Sequence, residues 1–428
     1  MKVIWFLLYN VLVVPSLYIG FRIAGLFNKK IKQGLEDRAT LFANLKTSLK
    51  NIDTSKKMVW FHSASMGEFE QAKPIIEKLK SENDINVIVT FFSPSGYRNS
   101  LKYKHKDIIS YIPFDSPRSV KKFIDLVNPV ITVFMRYDYW PNLVWGLKKK
   151  NIPMFIVDAT MRLDSKRKLP FSISFHKSLF KNFNRILAVS SEDVDNFKVY
   201  GVTNSQVKAV GDTRFDRVYQ KSLQAKELHI LRDGFFEGNK VIVLGSSWPS
   251  GEDVLLPALK NLLAEDPKLR VVLVPHEPTI DRLEKIEENL NGSVNHIRLS
   301  HRNNYTDEQI VIVDSIGVLV SLYYYADIAY IGGSFKQGIH NVLEAAVYGI
   351  PVFFGPKITN SQEALKLNEL TCGTVIKTSD EVYTYLKDLL YDDEKRKRLG
   401  KIAYDYVNEN IGATEQITKE VTTYLKQK

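Results

Sequence analysis

One cysteine, Cys372, stands in the 428 residues. A disulfide framework is therefore excluded, and a reducing compartment is the natural setting. Cys372 sits among apolar neighbours and reads as a small core residue. Cys/His spacing of the zinc type is missing, and no clustered carboxylate pair offers a cation a site, so no metal is expected. There is no short internal repeat. There is also no basic helix with interleaved aromatics and no recognised binding motif, which argues against nucleic acid as a partner. A small-x-small cleavage site is absent after the apolar N-terminus, so a cleaved signal peptide fits poorly.

What is present is globular. Hydrophobic residues make up 44% and charged residues 25%, values that exclude disorder. The length suits two domains with two cores. The 59 basic and 48 acidic residues leave a formal charge of +11, which suits an anionic partner: an acidic membrane surface, a phosphorylated substrate or nucleic acid.

From Val3 to Phe27 the chain is almost wholly apolar or aromatic, interrupted mainly by Asn10, Pro15 and Arg22. A bilayer crossing needs about 20 residues, so the run is long enough. Lys29, Lys30, Lys32 and Arg38 follow it and Lys2 precedes it, which places the main body in the cytoplasm. A helix lying in the membrane interface is the rival to a spanning one, and a buried core helix is the plain alternative.

Beyond residue 50, short apolar runs alternate with helical stretches. The expected strands of the first half are Met58–His62, Asn86–Phe92, Ile108–Ile112, Val130–Phe134, Met154–Val157 and Ile186–Val189. Their Val, Ile and Phe content marks parallel strands buried on both faces. Helical patterns such as Gln71–Lys80 and Pro117–Leu126 lie between them. A second series follows Phe215: Val241–Leu244, Val271–Val274, Ile310–Val313, Ile328–Ile331 and Val352–Phe354, with Thr279–Leu290 among its helices. This rhythm, twice over, predicts an α/β chain of two Rossmann-like domains. The expected division is a membrane anchor over 1–28, a first domain over 29–215 and a second over 216–405. A polar helix from Asp392 onward closes the chain, and its part 406–428 is expected to pack back on the first domain.

Ligands of such sheets bind beyond the carboxyl ends of the strands, so the residues just after each strand carry the functional reading. Ser63 to Glu70 follows the first. Glu68, near a helix start, is either a base for an attacking hydroxyl or an acid favoured by the helix dipole. Arg136 to Asn142 follows the fourth, and its charges and aromatics form either a binding surface or a helix N-terminus with Trp140 in the core. Asp158, Arg162 and a basic stretch to Lys168 follow the fifth, as an anion site or a solvated loop. In the second half, Gly332-Gly333-Ser334 and Gly338 to Asn341 precede a helix running through Glu344 and Ala345. Glycines there let backbone N–H groups approach a phosphate, and Glu344 could hold ribose hydroxyls. Pro275 to Pro278 could flank a base or phosphate, with His276 otherwise structural.

Taken together, His62 to Glu68, Tyr111 to Asp115, Trp140-Pro141-Asn142, Gly211 to Asp216, Gly332-Gly333-Ser334, His340 to Glu344 and Phe354-Gly355-Pro356 resemble the Kdo (3-deoxy-D-manno-octulosonic acid) transferase family. They occur in the family's order from the N-terminal anchor to near residue 364. The resemblance implies a GT-B fold, two Rossmann-like domains facing across a cleft, with the donor held mainly by the second. It implies transfer of Kdo from CMP-Kdo to a lipid A precursor, lipid IVA, in lipopolysaccharide biosynthesis. It implies that Glu68 is the catalytic base and that Asp138 and Arg214 help the transition state. Pro275, His276, Ile316, Gly317, Val318, Gly333, Ser334, Asn341, Val342, Leu343 and Glu344 would then line the donor. Two residues depart from the family pattern: Arg136 stands where an acid is frequent, and His276 where an arginine is common. The implied reaction is one inverting displacement without cofactor or metal, its partners the donor, the lipid acceptor and an anionic membrane surface. The alternatives are another membrane-associated GT-B transferase using a UDP-sugar, and a non-catalytic membrane-tethered binding protein.

Overall fold

Seven parallel strands build the first sheet: β1 (Lys57–Ser63), β2 (Ile85–Phe91), β3 (Ile108–Tyr111), β4 (Ile131–Met135), β5 (Met154–Ala159), β6 (Arg185–Ala188) and β7 (Val207–Ala209). Their order in space is β3-β2-β1-β4-β5-β6-β7, so the winding reverses between β1 and β4. Successive side chains of β1 enter different cores: Met58 and Trp60 one, Val59 and Phe61 the other. Burial on both faces is why the run is apolar without a break. This is a computed structural model, and it describes residues 2–163, 165–228 and 230–427, with backbone alone for Lys2 and Lys166.

The second sheet holds β8 (Lys240–Ser247), β9 (Leu269–Pro275), β10 (His296–Arg298), β11 (Ile310–Ile312), β12 (Ile328–Ile331), β13 (Val352–Phe354) and β14 (Gly373–Val375). Its order is β10-β11-β9-β8-β12-β13-β14, reversing between β8 and β12. Three strands were not expected from sequence: β7, β10 and β14. Each is three residues long and lies at a sheet edge. With one neighbour and little burial, such a strand needs no apolar run and leaves no signal.

The first unit runs to Arg217 and takes in the chain again from Ile411, while the second is Val218–Asn410. The boundary falls inside the helix Thr213–Glu227. The expected polar C-terminal helix is two helices, Asp393–Glu409 and Ala413–Lys426. They break at Gly412, whose φ of +119° no helix accommodates. The Asp216 carboxylate accepts the Gly412 N–H at 3.1 Å and caps the last helix. Ile417, Val421 and Leu425 of that helix then join the core of the first unit.

The N-terminal segment is helical from Lys2 to Phe27, with a π-helical turn over Tyr9–Val13. Pro15 has no N–H to offer the preceding turn, and the wider turn before it absorbs that break. The helix lies against its own unit. Trp5 stacks edge-on to Phe175, Tyr9 to Trp145, and Phe21 packs on Phe92 and Phe114. Arg38, counted in the sequence among the membrane-flanking cations, turns inward. It donates to the carbonyls of Phe92 and Ile112, and its guanidinium lies over the rings of Phe92, Tyr111 and Phe114.

Candidate active site

The switch point of the first sheet gathers four ionisable side chains. β1 ends at Ser63, and Ala64 and Ser65 turn the chain into the helix Met66–Glu82. From its first turn Glu68 reaches back, and its Oε2 accepts the Ala64 N–H at 2.5 Å. The carboxylate thus closes the turn that presents it. It is only 7% exposed, and burial raises its pKa, against the opposing effect of the Ala64 N–H. The nearby charge of Asp138 raises it further, while His62 and Arg136 lower it.

His62 is fully buried near the end of β1. Its Nε2 lies 2.9 Å from Asp138 Oδ2, and its Nδ1 faces the Thr90 hydroxyl and carbonyl at 2.9 and 3.1 Å. An ionised carboxylate only accepts, so Nε2 carries the proton and fixes Asp138 beside Glu68. Arg136 follows β4 in the left-handed region, φ +59°. Its N–H donates to Val157 O at 2.8 Å, and its Nε is buried with no partner among the described residues. The guanidinium carries its charge toward both Glu68 and Asp158. Glu68 and Asp138, singled out separately in the sequence, thus share one cluster with His62 and Arg136.

Arg214 is held elsewhere. Its guanidinium grips Asp212 through Nε and Nη2, at 2.9 and 2.6 Å from Oδ2. Asp158 accepts the Thr213 N–H at 3.1 Å and its hydroxyl. Full burial and the proximity of Asp212 push the Asp158 carboxyl up. In the basic stretch, Lys168 donates to Asn196 and Arg167 lies over the rings of Tyr137 and Tyr139; Asp164 falls outside the described residues.

The expected binding surface Arg136 to Asn142 divides in two. Trp140-Pro141-Asn142 opens the helix Pro141–Lys149, and its free N–H groups go to a carboxylate from another loop. Asp115 accepts from the backbone of Asn142 and Leu143 at 2.9 and 3.0 Å, and from the Tyr9 hydroxyl at 2.9 Å. Asn142 also exchanges hydrogen bonds with Asn10. Burial pushes the Asp115 carboxyl up to about 6. This element docks the N-terminal helix.

In the second unit the candidate residues line the carboxyl ends of β11, β9 and β12. Pro275 closes β9, and the His276 N–H donates to Ser247 O at 3.0 Å. Ile316 is exposed, Gly317 has φ +88°, and Val318 directly precedes the short helix Leu319–Tyr323. Gly332 and Gly333 are obligatory. A Cβ on Gly332 would lie 1.8 Å from Ser246 O, and one on Gly333 2.3 Å from Gly338 O. Ser334 is fully buried; its hydroxyl donates to Ile331 O and accepts the Gly355 N–H at 2.7 Å, so it shapes the loop. The side chains of Val342 and Leu343 are in the core, which leaves only their backbone for a ligand. Asn341 is exposed, with its Oδ1 accepting the Leu343 N–H. Glu344 adds its charge to the burial that raises the Tyr323 and Tyr348 phenols. The helix expected to open near Asn341 is a single turn, Leu343–Ala346, too short to build a macrodipole for a phosphate.

One residue escaped the sequence reading. Trp248 stands after β8, stacks on His276 at 4.6 Å, and donates its indole N–H to His340 Nε2 at 3.0 Å. His276 in turn stacks on His340 at 4.6 Å. Burial and the neighbouring His276 lower the His340 pKa. Its Nε2 accepts, so its proton sits on Nδ1. A signal was available: Trp248-Pro249 opens a helix after a strand just as Trp140-Pro141 does. Among the described residues no group of three His, Cys, Asp or Glu side chains could hold a metal.

The family model described as 3-Deoxy-D-manno-octulosonic-acid transferase (kdotransferase) matches residues 34–217. A 3-deoxy-D-manno-octulosonic acid transferase of Aquifex aeolicus is 31% identical over 352 residues, 81% of this chain and 88% of that protein. That of Haemophilus influenzae is 28% identical, covering 86% and 87%. Among solved structures, a UDP-N-acetylglucosamine 2-epimerase of Neisseria meningitidis superposes with a TM-score of 0.60 at 15% identity, over 87% of this chain and all of that one. A putative one of Listeria monocytogenes does so with a TM-score of 0.60 at 14% identity, over 87% of this chain and 98% of that one. At that identity the likeness is one of fold alone, the GT-B class.

Proposed function

The chain belongs to the 3-deoxy-D-manno-octulosonic-acid (Kdo) transferase family, and from that premise we propose that it moves Kdo from CMP-Kdo to a lipid A precursor, lipid IVA, at the cytoplasmic face of an inner membrane. It is a glycosyltransferase of lipopolysaccharide biosynthesis. Glu68 takes the proton of an acceptor hydroxyl while that oxygen attacks the anomeric carbon of Kdo. The bond from that carbon to the CMP phosphate breaks, and CMP leaves with the bonding pair. One displacement inverts the configuration.

The observation that carries this reading is the cluster at the β1/β4 switch point. Glu68 is buried and its pKa is raised, so its carboxylate is a stronger base than an ordinary glutamate and takes a hydroxyl proton more readily. Asp138, held by His62, keeps a second negative charge where positive charge develops at the anomeric carbon. For the leaving phosphate, the one-turn helix offers little. The backbone around Gly333 to Asn341 and the Nδ1–H of His340 are the donors at hand. A lipid acceptor is supported by a cavity of about 320 Å³ beneath the N-terminal helix, lined by Phe21, Ile31, Leu35, Phe92, Phe114 and Arg38. Arg38, on the wall of this space, carries its charge toward Asp138.

The test supplies the purified protein in detergent with CMP-Kdo and lipid IVA and counts added Kdo by mass spectrometry. Wild type should give product. Glu68→Gln should fold and lose about 10²–10⁴-fold in turnover, the usual contribution of a positioned base. Near-wild-type turnover in that variant would remove Glu68 from the role. No product from folded wild type would redirect the assignment to another acceptor or a UDP-sugar.

A further inference from the structure

We propose that the N-terminal helix lies in the plane of an anionic bilayer, at the boundary of headgroups and acyl chains, and does not cross it. The helix Val3–Phe27 has a mean hydropathy of 1.9, and only 6% of its most apolar stretch is buried. By length and composition alone it could span. Its contacts forbid that while it is docked. They run from Trp5, whose indole donates to Ser174, to Phe21 on Phe92 and Phe114. At 1.5 Å per residue that is about 24 Å of the helix axis, against a hydrocarbon core of about 30 Å. A spanning helix would therefore drag its own unit into the acyl region. Lys121, Lys149 and Lys150 line the recess around Phe6, and all three would enter with it, a placement hydrocarbon strongly disfavours.

The face turned away from the unit fits a surface-lying helix. Ile4, Leu8, Val11, Ile19, Ile23 and Leu26 are exposed, with Val3, Leu7 and Leu12 beside them, and form a broad apolar stripe. The stripe continues onto a second element. Phe171 is 87% exposed, one turn before Ser174 and Phe175, which touch Trp5. Lys29, Lys30 and Lys32, all exposed, follow the helix and suit anionic headgroups. An apolar stripe with a basic rim matches that occupant in both chemistry and charge.

The orientation rests on the membrane association proposed above, and one experiment separates the two. Single cysteines replace Ile4, Val11, Ile19, Leu26 and Phe171 in the full chain, where the native Cys372 is buried. Each carries an environment-sensitive fluorophore. Vesicles of phosphatidylethanolamine and phosphatidylglycerol carry nitroxides at the headgroup or deep in the acyl chain. All five positions should be quenched to a similar, shallow depth. Deep quenching at Val11 and Ile19, shallow at Ile4 and Leu26 and none at Phe171, would establish a spanning helix and overturn the orientation. No quenching anywhere would overturn membrane association itself, and neither result depends on Kdo transfer.

Discussion

Replacing Tyr9 by phenylalanine deletes one hydroxyl and leaves the ring, so the contacts with Trp145 and Phe175 at 5.9 and 6.3 Å persist. What is lost is the 2.9 Å hydrogen bond to Asp115. That carboxylate is buried and already shared between two backbone N–H groups at the start of the helix Pro141–Lys149. A hydrogen bond to a charged group contributes about 1.5–3 kcal/mol, and here no solvent is at hand to replace the donor. The loss falls on docking, because the partner of Asp115 sits on the N-terminal helix itself. Opening of that helix should become more frequent by roughly 10- to 150-fold, the same free energy read as an equilibrium. Hydrogen exchange of amides in the turns after Tyr9, corrected for intrinsic rates, measures this directly. Tyr18→Phe is the control: its hydroxyl accepts from Arg22 at the surface, and exchange should barely move. If Tyr9→Phe leaves protection as it was, Asp115 is not the docking point, and the restraint against spanning rests on the contacts of Trp5 and Phe21.

Activity should fall as pH drops through the pKa of Glu68, above its ordinary 4.5 because burial dominates. Asp138→Asn removes a charge that raises it and should shift the acid limb of kcat/KM down, while Arg136→Ala should shift it up; limbs unmoved in both variants would dissolve the cluster. Trp248→Phe keeps a ring on His276 but frees His340 Nε2, and calorimetry should find CMP bound roughly 2- to 10-fold more weakly, the worth of one neutral hydrogen bond; unchanged affinity would detach this pair from the donor. Glu68, Asp115, Asp158 and Asp216 all have pKa values raised by burial. Across the window from the ordinary carboxylate range to about 6, the Asp115 value, the folded state binds more protons than the unfolded one, so stability declines as pH rises. The first unit should melt higher near pH 5 than near pH 7.5, and the reverse order would contradict these shifts.

The central strands were legible because they are buried on both faces, and that burial writes itself as Val59, Trp60 and Phe61 without a polar break. The edge strands β7, β10 and β14 were not, because a three-residue strand with one neighbour makes no such demand. Glu68 and Asp138 were legible only as residues just after separate strands; that β1 and β4 lie side by side, and so bring the two together, is a fact of the fold. What could not be read is where a side chain finds its partner across long stretches of chain. Arg38 has the look of one more membrane-flanking cation, yet three aromatic rings and two carbonyls take it inward. Trp140-Pro141-Asn142 and Tyr111 to Asp115 were each visible as motifs. That they meet, and that Tyr9 completes the meeting across 106 residues, follows only from the fold. The consequence reaches the membrane: hydropathy measures whether a helix can leave water, whereas the carboxylate of Asp115 decides that this one keeps a protein along one side while it does so.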